Sequence, residues 1–204
     1  MNFSRDSWIS TNVAIRPHLP ISAILGAEKE VGTVPPCGIL FPHGFSRFAV
    51  LFCYFSEMIE ESYYMFRALY ANYFCFLHSV SSHPQSLLSL CKLFEDLLQA
   101  YETELFFHLQ QIGVQPTSIA FRWLFAGFVG FLEVEQLYLL WDRVIGFETL
   151  ELLPMLSAAL FVFKAEYILK ATTFEEVEEI FYDLSQIKVV PLLQHFLYEQ
   201  RRVA

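Results

Sequence analysis

The chain has 204 residues, of which 55% are hydrophobic and only 17% are charged, and its formal net charge is −9. This apolar composition excludes a largely disordered chain, and the length is sufficient for one domain with a sizeable core. The charge argues against a nucleic-acid partner and against adsorption to anionic lipid, because both need a basic surface that 13 Lys and Arg residues do not form here.

The mean hydropathy of +0.41 raises the question of membrane-spanning helices. A spanning helix needs about 18 or more consecutive apolar residues, and no window of the sequence provides them. Arg67 and Arg122 interrupt two apolar runs, and the longest clean run, Leu152–Phe163, is closed by a charged residue on each side. We therefore predict core helices and no integral membrane insertion. Residues 1–10 lack the apolar region of a signal peptide, which favours a cytoplasmic protein.

The pattern divides the chain into an irregular N-terminal arm at residues 1–36 and a helical domain at residues 37–204. The arm contains scattered Pro, Gly and Ser without a sustained period. From Ser46 onward, apolar residues recur at helical spacing, and no Asn-Gly or Asp-Gly hairpin signal interrupts them. We predict an all-α fold of about eight or nine helices. After a first helical stretch from Ser46, the predicted helices cover residues 60–79, 84–101, 104–112, 117–131, 134–145, 149–170, 174–186 and 191–202.

Two local signals predict where helices begin. Pro84 suits the first turn of a helix, because its missing N–H would have no partner there. Thr172 and Thr173 each precede a glutamate by three residues, Glu175 and Glu176. This spacing gives two overlapping candidates for a capping box, in which side chains bond the free amides of a helix start.

Four metal-capable side chains lie close together in the sequence: Cys75, His78, His83 and Cys91. Two cysteines and two histidines can hold a tetrahedral zinc ion, but these cysteines fall on the apolar stripes of different predicted helices. We therefore favour core thiols with helix-capping histidines over a zinc site, and we predict no metal and no cofactor. The lack of a Cys-x-x-Cys pair is typical of reduced thiols in a cytosolic protein.

No catalytic motif is visible in the residues themselves. The sequence has neither the GxSxG turn of a serine hydrolase nor a glycine-rich phosphate loop. Its paired glutamates are typical of solvated helix faces. We therefore predict a helical protein that is not an enzyme.

A more specific pattern lies between residues 121 and 143. An aromatic-Arg-Trp run is followed about 18 residues later by Leu-Trp-Asp. This order resembles the C-terminal signature of the TBC domain of Rab GTPase-activating proteins, and the resemblance extends over about residues 41–163. It implies the C-terminal part of that all-α domain. The residues that carry the signature are Arg122, Trp123, Leu140, Trp141 and Asp142.

The same residues also have a structural interpretation that needs no family. Trp123 and Trp141 are large enough to be buried anchors of neighbouring helices. Asp142 would bond a nearby helix end or an arginine. We expect the signature to be structural.

The resemblance implies activation of GTP hydrolysis by Rab proteins in membrane traffic. In this family, an Arg from an Ile-x-x-Asp-x-x-Arg motif and a Gln from a Tyr-x-Gln motif act as two catalytic fingers. Phosphoryl transfer is catalysed mainly by positioning and electrostatics, and an arginine finger contributes about 10³ to 10⁵ in rate. No arginine in this sequence has an aspartate three residues before it, so the arginine finger is absent.

His43 stands where the family keeps its glutamine. The matching stretch is Phe41-Pro42-His43-Gly44, against Tyr-x-Gln-Gly in the family. A neutral imidazole has one donor and one acceptor, as the orientation of water requires, but its shape and reach differ from those of an amide. We favour a turn histidine before Gly44 over a catalytic one.

These features predict a divergent TBC-domain protein that is shortened at its N-terminal side. One hypothesis is an activator or regulator of a Rab whose catalytic half lies in a longer form. The alternative is a non-catalytic helical module that binds a Rab or another trafficking partner. In both cases the protein would be cytoplasmic and would reach membranes through its Rab partner. Because the missing half would normally cover part of the domain, we also expect an exposed apolar face larger than the roughly few hundred Å² usual for monomers.

Overall fold

The computed structural model describes residues 45–78 and 81–199 of the chain. The predicted N-terminal arm, Phe41, His43 and Gly44 lie outside the described residues, as does the predicted end of the last helix at residue 202. The described residues from Arg47 onward form one packing unit. They form helices and no strand, which confirms the predicted all-α class.

Short connections separate the helices, and two of them have non-standard hydrogen bonding. A 3-10 turn, Leu51–Tyr54, follows the first helix, and a π-helical segment, Tyr70–Phe74, joins the second helix to the third. In chain order the helices are α1 (Ser46–Val50), α2 (Ile59–Leu69), α3 (Cys75–Leu77), α4 (Leu87–Tyr101), α5 (Thr103–Gln111), α6 (Pro116–Ala126), α7 (Val134–Gly146), α8 (Leu152–Phe163), α9 (Ala165–Ile168), α10 (Phe174–Ile180) and α11 (Val189–Glu199).

Helix α8 lies at the centre of the packing unit. It packs against α4, α6 and α11, and almost all of its side chains up to Phe161 are buried. This position explains why the longest apolar run is hydrophobic on every side, since a helix surrounded by other helices has no solvent face. Pro154 is tolerated because it lies in the first turn, where a backbone N–H has no partner within the helix. Nowhere in residues 45–78 and 81–199 is a helix both long and apolar enough to cross a membrane.

Helix α6 ends at Ala126, before the predicted end at residue 131. Gly127 has a left-handed φ of +55°, and Phe128 follows with φ +63°. The Gly127 amide donates to the Leu124 carbonyl at 3.0 Å, and the Phe128 amide donates to the Trp123 carbonyl at 2.8 Å. These two bonds form the Schellman motif that closes a helix. The sequence pattern did not indicate this helix end, because Phe128, just beyond it, is fully buried and continues the apolar spacing.

Three further predicted boundaries were wrong. Helix α4 begins at Leu87 instead of Pro84, because the Ser86 amide bonds the His83 carbonyl in a preceding turn. The helix predicted at residues 149–170 is divided into α8 and α9 at Lys164, whose backbone leaves the helical region. The helix predicted at residues 174–186 ends at Ile180, and the Asp183 carboxylate then accepts from an amide two residues on, which favours a turn.

Helix α10 begins at one of the two predicted Thr–Glu pairs. Thr173 is the N-cap, and its hydroxyl accepts from the Glu176 amide at 3.3 Å. The Glu176 carboxylate reaches back to the amide of Thr172 at 2.7 Å. The amide and the hydroxyl of Thr172 both donate to this carboxylate, which favours its ionised form and lowers the pKa of Glu176. Thr173 and Glu176 therefore form the N-cap bond of the predicted box, whereas the return bond goes to Thr172, one residue before the N-cap.

Candidate functional site

The signature tryptophan of α7 fixes the turn that ends α6. The indole N–H of Trp141 donates to the Gly127 carbonyl at 3.0 Å in a buried position. The ring of Trp141 lies 4.5 Å from that of Phe74, centroid to centroid. Trp141 therefore joins α7, the Gly127 turn and the π-helical segment in one cluster.

The signature tryptophan of α6 joins other elements. Trp123 is buried, and its ring lies 5.1 Å from Phe181 and 6.0 Å from Phe161. It therefore connects α6 with α8 and with the residue that follows α10. Leu140, the third apolar signature residue, is fully buried in α7.

Asp142 does not have the partner that the sequence predicted for it. The carboxylate is exposed, and in the described part of the chain it makes no hydrogen bond or ion pair. The reason is its place on α7, where it follows the buried Trp141 and points to the outer side of the helix. Asp142 is therefore a surface charge.

Arg122 is an exposed signature residue that is bonded within the chain. Its guanidinium donates to the carboxylate of Glu178 on α10, and both side chains are about half exposed. The pair borders a cleft of about 670 Å³ that we call the acidic cleft. Its lining includes Phe131, Glu175, Glu179 and Tyr182.

A second depression, which we call the α7 groove, runs between the outer face of α7 and the 3-10 turn. It has a volume of about 620 Å³ and two carboxylates in its lining, those of Glu135 and Asp142. The Tyr138 hydroxyl donates to the Leu51 carbonyl at 2.7 Å, which holds the two walls together. The apolar residues that line it include Leu51, Phe52, Phe55, Leu69, Leu139 and Ile145.

Much of the apolar surface of the α7 groove is exposed to solvent. Phe55 is 59% exposed, Ile145 46% and Leu139 39%. Helix α2, whose last residue Leu69 lines the groove, contains no buried residue at all. The groove thus continues into a helix whose apolar side chains are largely open to solvent.

The four metal-capable side chains have separate roles. The Cys75 thiol donates to the Ala71 carbonyl at 3.2 Å, and Cys91 is buried in α4. The ring of His83 stacks on Phe76 at 4.3 Å. Within residues 45–78 and 81–199, no three His, Cys, Asp or Glu side chains are grouped closely enough to hold a metal ion.

His78 is packed among aromatic rings. Its ring lies 4.9 Å from both Phe48 and Phe125, and its Nε2 lies 3.2 Å from the Phe125 carbonyl. Burial disfavours the charged imidazolium and lowers the pKa of His78 to about 4, although the bond to Phe125 acts in the opposite direction. His78 is thus a neutral, partly buried residue at neutral pH.

Comparison with known proteins identifies the family. A family model described as the Rab-GTPase-TBC domain matches residues 39–169. The chain belongs to the Rab-GTPase-TBC domain family. The TBC match confirms the resemblance, includes the whole signature, and ends directly after α9, so that α10 and α11 lie beyond it.

A curated relative supports the same assignment. TBC1 domain family member 19 of Homo sapiens is 42% identical to this TBC chain over 200 residues. The aligned region covers 96% of this chain but 38% of the length of that relative. No solved structure gives a significant match.

Sequence reasoning missed the α7 groove. The pattern of α7 indicates its buried stripe, with Leu137, Leu140, Trp141 and Val144 at helical spacing. Leu139 and Ile145 are apolar residues outside this stripe. Single exposed apolar residues are common on protein surfaces, so they gave no specific signal for the groove.

Proposed function

We propose that this TBC chain regulates a Rab-type small GTPase by binding it, and that the chain alone does not accelerate GTP hydrolysis. The observation that carries the proposal is the TBC match over residues 39–169, combined with a sequence in which no arginine follows an aspartate at the spacing of the family's finger motif. The protein would act in the cytoplasm and reach membranes through its GTPase partner.

The chemistry of phosphoryl transfer supports the second half of the proposal. An arginine finger stabilises the charge that develops on the transferred phosphoryl group, and its loss lowers the rate by about 10³ to 10⁵. Arg122 is the arginine of the C-terminal signature, but its guanidinium is already paired with Glu178. A histidine at position 43 could at best orient water, and water orientation without charge stabilisation leaves most of the barrier in place.

A single-turnover assay of GTP hydrolysis across a panel of Rab proteins, run beside a binding assay with the same proteins, tests the proposal. We expect binding of at least one Rab and no increase in its hydrolysis rate. The variant His43→Gln, which restores the family's amide, should also leave the rate unchanged, because the arginine is still missing. His83→Gln is the matched control on an exposed histidine.

Two results would contradict the proposal in different ways. Acceleration that disappears in His43→Ala would show that the chain is a catalyst, as the activator hypothesis holds. Failure to bind any Rab in either nucleotide state, with the chain folded, would remove Rab regulation altogether.

A further inference from the structure

The α7 groove extends along about three turns of helix. Its α7 wall is formed by residues 135–145, and eleven residues of α-helix at 1.5 Å per residue extend over about 15 Å, or three turns. The opposite wall is formed by the 3-10 turn, Phe55 and the end of α2. A depression of this length between helical walls can accept a helix of about three turns.

The helical backbone of α7 leaves its side chains as the groups that can contact a partner in the groove. The amides and carbonyls of α7 are bonded within the helix, so this wall offers no free sheet edge to which an extended peptide could add a strand. What the groove does offer is apolar surface, chiefly from Phe55, Leu139 and Ile145. These contacts fit apolar residues that recur at spacings of three and four on one face of a partner helix.

The charged residues of the groove favour a partner of opposite charge. Among the described residues that line the groove, the charged side chains are those of Glu135 and Asp142. The nearest cation in sequence, Arg143, donates back to the carbonyl of Leu139 in its own helix at 2.6 Å. An incoming helix is therefore favoured if it carries basic residues around its apolar stripe.

We propose that the α7 groove, lined by Phe55, Leu139 and Ile145 and bordered by Glu135 and Asp142, binds a basic amphipathic helix of a partner protein. Glu135 and Asp142 are seven residues apart on one helix, which places them about 10 Å apart along its axis. Two basic residues seven positions apart on the partner helix match this spacing. Two signature residues, Trp141 and Asp142, belong to the lining of the groove, and the inference does not depend on Rab binding.

The probe is a fluorescein-labelled synthetic helix of about 18 residues, long enough to form a marginally stable helix. It carries Leu at positions i, i+4, i+7 and i+11 and two Arg seven positions apart, and a matched peptide carries Glu in place of both Arg. Fluorescence anisotropy with the full chain should show that the Arg peptide binds at least about tenfold more tightly than the Glu peptide. The variant Ile145→Glu should weaken binding of the Arg peptide by about tenfold or more, because it places a charge in the apolar contact.

A charge reversal separates specific docking from general stickiness. In the double variant E135K/D142K the order of the two peptides should reverse. Phe163→Glu is the matched control, since Phe163 is an exposed aromatic residue, 59% accessible, that does not line the groove. It should leave both affinities unchanged. The unfolding midpoint of each variant, measured by circular dichroism, verifies that the changes concern binding.

Three outcomes would overturn the proposal. The first is equal binding of the two peptides by the wild-type chain. The second is an equal loss of affinity in Ile145→Glu and Phe163→Glu, which would indicate non-specific association. The third is a dimer in sedimentation analysis that Ile145→Glu dissociates, since that result would assign the groove to a second copy of the chain.

Discussion

Gly127 lies so close to the indole of Trp141 that a Cβ atom on the glycine would stand 2.7 Å from Trp141 Cζ2 and 3.2 Å from the ring of Phe74. No side chain fits in that space without displacing an aromatic ring. The left-handed φ of +55° imposes a second, independent requirement for glycine. The turn between α6 and α7 therefore requires glycine at position 127, because only glycine has no Cβ atom.

The variant Gly127→Ala should be strongly destabilising. We expect a loss of about 2–4 kcal/mol in the free energy of unfolding, because the left-handed backbone cost adds to the displacement of Trp141. Urea denaturation followed by circular dichroism measures it. Gly113→Ala is the matched control, since Gly113 has φ +73° but nothing within 4 Å of an added Cβ. Its loss should be about 1 kcal/mol, and an equal loss in both variants would show that the contact with Trp141 is not important.

Arg122 and Trp123 are adjacent signature residues whose expected contributions to stability differ greatly in size. The Arg122 and Glu178 side chains are 52% and 43% exposed, so a double-mutant cycle on this pair should give a coupling below about 1 kcal/mol. Trp123→Ala should instead lower the free energy of unfolding by about 3–5 kcal/mol, because it leaves a large cavity beside Phe161 and Phe181. A coupling of several kcal/mol for the ion pair would mean that the acidic cleft is a stabilising network.

His78 should make the fold less stable in acid. Its pKa is about 4 in the folded chain and near 6.5 when unfolded, so between these values the unfolded state binds more protons. The free energy of unfolding should therefore fall by up to about 3 kcal/mol as the pH decreases from 6.5 to 4, and this contribution is absent above pH 7. Urea denaturation at a series of pH values measures the slope.

The variant His78→Gln isolates this contribution. It should be less stable than the wild type at pH 7 yet show a flatter dependence of stability on pH from 6.5 to 4. His83→Gln, on an exposed ring, should keep the wild-type slope. If the slope of His78→Gln equals that of the wild type, the acid sensitivity arises from other groups.

The exposed apolar residues around the α7 groove should bind a hydrophobic dye. Tyr54, Phe55, Met58 and Ile59 are all more than half exposed and lie consecutively or nearly so in the chain. We expect strong fluorescence of an anilinonaphthalene sulfonate dye with the native chain, reduced in Phe55→Ser and unchanged in Tyr182→Ser, which alters an exposed aromatic residue outside the groove. A dye-silent native chain would contradict the expectation of an exposed apolar face.

The sequence was sufficient for the fold class, because the buried residues follow a helical period, and for the family, because the order of the signature residues resembles that of the TBC domain. Trp123 and Trp141 are such residues. Helix ends were harder to predict. Helix α6 ends because the backbone of Gly127 is left-handed, yet the buried Phe128 just beyond it continues the apolar spacing of the helix. The groove could not be predicted. The helical spacing of apolar residues indicates which side of α7 carries Leu139, but it does not indicate which other segment of the chain packs beside that side.

The π-helical segment Tyr70–Phe74 changes the side toward which the rest of its helix faces. Residues seven apart normally lie on one side of an α-helix, yet Arg67 is exposed and Phe74 is fully buried. A π turn contains one residue more than an α turn. Phe74 is eight residues after Phe66, but the extra residue places it where the seventh residue of a regular α-helix would lie, on the same side as Phe66. The ring of Phe66 itself packs 5.8 Å from that of Phe52. A homologue could therefore lose one residue in this segment and form a regular α-helix there, with the same side chains still facing the core. A one-residue insertion or deletion within α2 would instead rotate Phe66 away from Phe52.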